Sequence, residues 1–138
     1  MPVSTRNAAE GMEDVMSCLT EANVYVQALE WAMAEECYAN ALDDAERNFG
    51  EHHIITLKCL ECTARCAKMQ NKMNLAIPFY ERFIVLRDEA EEKGNKGFFD
   101  SGSLVTVYQE LSECLEAEGR LEESEAMASR SEKVRLDK

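Results

Sequence analysis

The sequence predicts an all-α chain, a solenoid of three antiparallel helix hairpins. Its 138 residues contain only 6 Gly and 2 Pro, and the Ala, Glu, Met and Leu that dominate it are strong helix formers. Apolar residues recur at i, i+3 and i+7 along most of its length. The chain also repeats itself: WAMAEECYANAL (31–42) aligns with MNLAIPFYERFI (73–84) at an offset of 42, and LEESEAMASRSE (121–132) follows 48 further on. A fixed period of two helices leaves each unit with an apolar face that only its neighbour can cover.

Residues 1–11 (MPVSTRNAAEG) show no apolar face and are expected to form a flexible arm, with residues 12–138 as one domain. The first helix, about 13–27, carries Met16, Leu19, Ala22, Tyr25 and Val26 on one stripe. The second, about 29–48, carries Trp31, Ala34, Tyr38, Ala41, Leu42 and Ala45, and Phe49-Gly50 supplies its stop. The third, about 53–70, buries Leu57, Leu60, Ala64 and Ala67. The fourth, about 74–92, buries Ile77, Tyr80, Ile84 and Leu86, with Pro78 near its start and Asn74 as the expected cap. A loop over 93–102 contains Phe98-Phe99, which either folds back on the last hairpin or stays exposed as a docking point. The fifth helix, about 103–118, carries Leu104, Tyr108, Leu111, Ser112 and Leu115; Gly119 breaks it, and a sixth runs over 121–136. Hairpins are therefore expected at about 13–48, 52–92 and 103–136.

The formal charge of −12 argues against partners that present arrays of phosphates, nucleic acid and anionic membrane alike. No apolar run reaches the roughly 20 residues of a membrane span, and the N-terminus lacks a signal-peptide core. A cytoplasmic location is expected, and with it six reduced thiols. Cys59-x2-Cys62-x3-Cys66 has the spacing nearest to a metal site, with His52 or His53 available to help. On a helix its outer thiols stand about 10 Å apart, so small sulfur side chains packing between helices are the simpler account, and no metal or cofactor is expected. His52-His53 beside Glu51 reads as a junction that caps a helix, in preference to a catalytic pair. No nucleophile elbow, phosphate loop or dinucleotide fingerprint is present, so no catalytic residue is assigned.

The third hairpin places Tyr108, Leu111-Ser112, Leu115, Gly119 and Leu121 in a pattern that resembles the tetratricopeptide repeat family. Ala22, Tyr25, Trp31, Ala34, Tyr38 and Ala41 in the first hairpin follow it, as do Leu60, Ala64, Ala67, Met73, Ala76 and Tyr80 in the second. Phe83 departs from it where a small residue is usual, which suggests locally wider packing. The 42-residue spacing and the Phe49-Gly50-Glu51-His52-His53 junction look like the kinesin light chain subtype, although His53 stands where that subtype has proline. A generic helical bundle is the alternative to the repeat. Glu125 and Glu132 on the last helix, where the second hairpin has Ile77 and Ile84, give it the polar outer face of an array end.

The resemblance implies a right-handed superhelix whose first helices line a concave, peptide-binding groove, and hence a non-catalytic interaction scaffold. Projected on this sequence, the groove residues are Asn23 and Gln27, then Lys58, Glu61, Arg65 and Lys68, then Gln109, Glu113 and Glu116. Residues 51–72 carry a net charge of +2, whereas 109–126 contain seven Glu and one Arg. Arg65, Lys58 and Lys68 are accordingly expected to grip a carboxylate of the partner and Glu113 and Glu116 to meet a basic flank; an ordinary solvated helix face is the competing account. Co-chaperone members use a wider cationic clamp, which the acidic third hairpin does not match. The other function considered is a self-associating structural or adaptor subunit of a cytoskeletal or motor assembly, docking by its convex face or hairpin ends. The protein is expected to be a monomer or weak homodimer that binds a protein or peptide partner.

Overall fold

The computed structural model describes residues 8–94 and 101–136. Six helices follow in order: α1 (Ala8–Gln27), α2 (Trp31–Phe49), α3 (Ile54–Met69), α4 (Met73–Glu92), α5 (Ser101–Ala117) and α6 (Leu121–Leu136). Each packs on its neighbours in the chain, and α3 also meets α5. Stacked hairpins make these contacts, so the molecule is a helical solenoid, with α1, α3 and α5 as the first helices of its three hairpins.

The repeat is most exact at the turns within the hairpins. Leu29, Asn71 and Gly119 hold left-handed φ angles of 60°, 65° and 77°. In each turn the next amide donates back across it: Glu30 to the Tyr25 carbonyl at 2.8 Å, Lys72 to Ala67 at 3.0 Å, and Arg120 to Leu115 at 2.9 Å. These bonds satisfy carbonyls that the ending helix leaves orphaned. Glycine adopts this φ without strain, whereas a branched-chain residue is disfavoured by about 1–2 kcal/mol. Leu29, which is largely exposed, therefore holds the turn under strain. Leu29→Gly is expected to stabilise the protein by about 0.5–1 kcal/mol, the relief of strain exceeding the added freedom of the unfolded chain; thermal unfolding that shows no rise in Tm would contradict this.

Several boundaries differ from the sequence-based expectation. Helix α1 begins at Ala8, within the stretch expected as an arm. Gly11 is buried there, and a Cβ on it would come within 2.8 Å of the Asn48 side chain, so the missing side chain lets α1 lie close against α2. Residues 1–7 lie outside the described residues, as do Phe98 and Phe99. The second helix starts at Trp31 and not at Leu29, because Leu29 has turned left-handed. Asn74 is not a cap: the turn at Asn71 lets α4 begin at Met73, and Lys72 occupies the cap position without a side-chain bond. Pro78 consequently lies inside α4, where the absent amide leaves the carbonyl of exposed Asn74 to solvent.

Between hairpins, Gly50 ends α2 with a φ of 87°. His53 caps α3, its Nδ1 accepting from the Ile55 amide at 3.1 Å, and its ring packs on Phe49 at 4.9 Å between centroids. The Thr56 hydroxyl donates to the Gly50 carbonyl at 2.7 Å, and His52 Nε2 meets Glu89 Oε1 of α4 at 2.8 Å. The junction therefore has the capping role read from its sequence.

The main core runs from Val15 of α1 through Leu57, Leu60, Tyr80, Phe83 and Ile84 to Leu111 and Leu115 of α5. A smaller cluster of Ala22, Ala34, Tyr38 and Cys66 sits within and beneath the first hairpin. Met16 is 45% exposed and Val15 takes the expected core place; both fit a helical stripe with Leu19 and Ala22, and packing on α2 selects the smaller residue. Phe83, where the family pattern favours a small residue, is buried beside Tyr80 in the main core. Helix α6 buries only Ser124 and Ser131, with Met127 and Val134 half-buried.

Candidate functional site

The first helices of the three hairpins, α1, α3 and α5, carry the side chains expected on the inner face. Asn23, Gln27, Lys58, Gln109, Glu113 and Glu116 are exposed on these helices. Glu61, Arg65 and Lys68 are not free in the same way. The Glu61 side chain is only 5% exposed, so it cannot read a ligand directly. Arg65 Nη2 donates to Glu61 Oε2 at 2.7 Å, and its Nε donates to both oxygens of Glu110 at 3.1 and 3.0 Å. The Tyr80 hydroxyl, on fully buried Tyr80, donates to Glu110 Oε1 at 2.9 Å. Lys68 Nζ lies 3.2 Å from Glu113, and Lys58 Nζ lies 3.6 Å from Glu61.

Arg65 is therefore already bonded within the chain to Glu61 and Glu110, whereas Lys68 meets only the exposed Glu113 carboxylate. One turn of α3 places Glu61 and Arg65 side by side, and the stacking of hairpins brings Glu110 onto Arg65. Burial works against the Arg65 charge, but its hydrogen bonds to Glu110 and Glu61 outweigh that and raise its pKa. Burial, and then the Glu110 carboxylate, raise the pKa of Tyr80. The network ties α3 and α4 to α5 and so fixes the shape of the inner face.

Glu110 and the phenol of Tyr80 were not among the residues singled out from the sequence. A signal existed: Glu110 interrupts the stripe Val107, Leu111 and Cys114, as Glu61 interrupts Leu57, Leu60 and Ala64. A carboxylate on an apolar stripe needs a buried partner. Which cation supplies it cannot be read across 45 residues without the stacking.

The three cysteines of α3 separate into different surroundings. Cys59 faces the main core, Cys66 the smaller cluster, and half-buried Cys62 packs against the latter. Burial raises the pKa of Cys59 and Cys66 to about 12 and that of Cys114 to about 11. Burial also raises Cys18, Cys37 and Cys62. These thiols are protonated packing groups at neutral pH. Among the described residues no three His, Cys, Asp or Glu side chains are grouped to hold a metal, and no helix is long and apolar enough to cross a membrane.

Hairpin stacking, left-handed turns at equivalent positions and small residues between paired helices define a helical-repeat protein. The profile described as tetratricopeptide repeat matches residues 16–84, and the chain belongs to that family. Among solved structures it is similar to BtubC (BKLC) from P. vanneervenii, with a TM-score of 0.79 and 20% identity over 89% of this chain and 47% of that one. The chain thus spans about half the length of BtubC. It is also similar to the TPR domain of Arabidopsis FLU, with a TM-score of 0.75 and 16% identity over 92% of this chain and 98% of the other. At such identities the likeness concerns the fold. No curated protein matches the sequence.

Proposed function

We propose that the protein is a non-catalytic, cytoplasmic scaffold that binds a peptide segment of a partner protein along its inner face. The observation that carries this reading is the locked Glu61–Arg65–Glu110–Tyr80 network, which holds α3 to α5 and presents the exposed side chains of those two helices without further ordering. A pre-shaped surface loses less conformational entropy on binding than one that must be assembled. Asn23 and Gln27 offer amides to the peptide backbone, Lys58 a cation, Gln109 a further amide, and Glu113 and Glu116 a strongly acidic end. Glu61 and Arg65 support these readers from beneath, and Lys68 neutralises part of the acidic end. The preferred peptide has polar residues over α1 and Lys or Arg over α5. The 42-residue step from Trp31 to Met73 and the Phe49-Gly50-Glu51-His52 junction fit the kinesin light chain-like subtype within the family, and His53 departs from it.

A peptide selected from a display library against the wild-type protein provides the test. The combined substitution Asn23→Ala, Lys58→Glu and Glu116→Lys is expected to weaken its affinity at least tenfold, about 1.4 kcal/mol, with helicity unchanged by circular dichroism. Equal affinity for both proteins overturns the groove assignment.

A further inference from the structure

Within the solenoid, each hairpin seats the first helix of the next one: α2 packs on α3, and α4 on α5. In hairpin 2, Arg65 of α3, itself bonded to Glu61, and Tyr80 of α4 hold α5, and Ala64, Phe83 and Ile84 share the main core with it. Glu110 is the α5 residue so held. The residues 48 positions later are Gln109, Ser112, Glu113, Ala128, Ser131 and Glu132. These six line an open cleft of about 400 Å³ between α5 and α6. The same six positions thus recur, in the same register, around an open cleft in the third hairpin.

The two sets of positions differ in charge and in size. Where Arg65 receives a carboxylate, the open cleft has Glu113, and Ile84 is replaced by Glu132. Tyr80 and Phe83 become Ala128 and Ser131, so the occupant must bring larger side chains of its own. We propose that this cleft seats a helix of a partner protein that carries an arginine or lysine where α5 carries Glu110. Glu113 pairs with Lys68, and Glu132 with Arg135, but both carboxylates are more than half exposed. Such surface pairs are worth at most about 1 kcal/mol, so a better-placed cation displaces them at small cost. Ser112 and Ser131 bond to the Ser124 and Val105 carbonyls at 2.9 and 3.3 Å, which leaves the carboxylates to set the charge preference. A second copy of this chain is a poor occupant. The face of α1 that corresponds to the seated face of α5 carries Asp14, Thr20 and Glu21, and its carboxylates would meet Glu113 and Glu132.

The test uses synthetic peptides of residues 101–117, one with Glu110→Arg and one unaltered, titrated into the labelled full chain under reducing conditions and followed by amide NMR signals. The Glu110→Arg peptide is expected to shift Ser112, Ala128 and Ser131 and to bind at least tenfold more tightly than the unaltered one. Glu113→Lys with Glu132→Lys reverses that preference, and Ala128→Phe, which fills the cleft while leaving its charges, abolishes binding. Equal affinities, no shifts, or shifts confined to Asn23 and Lys58 overturn the proposal. So does concentration-dependent dimerisation that Ala128→Phe removes, since a second copy then occupies the cleft.

Discussion

Arg65→Ala is expected to destabilise the protein by about 3 kcal/mol or more, measured by urea unfolding. Removing the guanidinium leaves Glu110 with only the Tyr80 phenol and Glu61 with only Lys58 at 3.6 Å, and a buried carboxylate without a close cation is far costlier than the pair is favourable. Arg65→Lys is expected to recover only part of the loss, because a lysine ammonium cannot place one donor on Glu61 and two bonds on Glu110 through a planar fork. Replacing the whole network by apolar groups, Glu61→Leu, Arg65→Met, Glu110→Leu and Tyr80→Phe, is expected to fall within about 2 kcal/mol of wild type. A loss below 1 kcal/mol for Arg65→Ala would mean that the pair behaves as a solvated one and does not brace the inner face.

Alkaline pH supplies the second large effect. An ordinary thiol ionises near pH 9, but the folded chain holds the protons of Cys59 and Cys66 to about 12 and of Cys114 to about 11. Between these values the folded state binds more protons than the unfolded state, so stability falls as the pH rises. The contribution is complete below about pH 9 and is lost progressively towards pH 11–12. Each thiol accounts for about 1.4 kcal/mol per pH unit, so at pH 10 the three together remove about 4 kcal/mol, a large share of the 5–15 kcal/mol typical of a domain. Tm is therefore expected to drop steeply between pH 8.5 and 10 under reducing conditions. The triple substitution Cys59→Ala, Cys66→Ala and Cys114→Ala is expected to flatten that drop, at the cost of a lower Tm at pH 7. A drop equally steep without these thiols would assign it to other groups.

The helices were legible because periodicity and turn chemistry are local. Gly50 and Gly119 stop helices by themselves, and Leu57, Leu60, Ala64 and Ala67 mark a buried face at helical spacing. Leu29 was misread as helical because nothing about a leucine announces a left-handed φ; its position 42 residues before Asn71, and 90 before Gly119, was the only clue. The inner face was legible as a list of positions and illegible as a set of charges. Counted along α3, Arg65 has only Glu61 and Lys68 has no partner, and Glu110 and Glu113 reach them only once hairpin 3 is stacked on hairpin 2. A sequence shows how much charge a helix carries, whereas the fold decides how much of it faces a partner.

Because each helix meets chiefly its predecessor and successor, the molecule behaves as a one-dimensional chain of springs. Local opening free energies are set by the nearest interfaces, so the ends can open while the middle stays closed. Helix α3, buried on most of its sides, is the stiff link, and α6, which buries only Ser124 and Ser131 fully, is the soft one. Amide exchange should accordingly be slowest near Leu60 and fastest along α6. A helix seated on the open cleft would turn that soft end into an interior element, and binding there would register as a slowing of exchange before any change of shape.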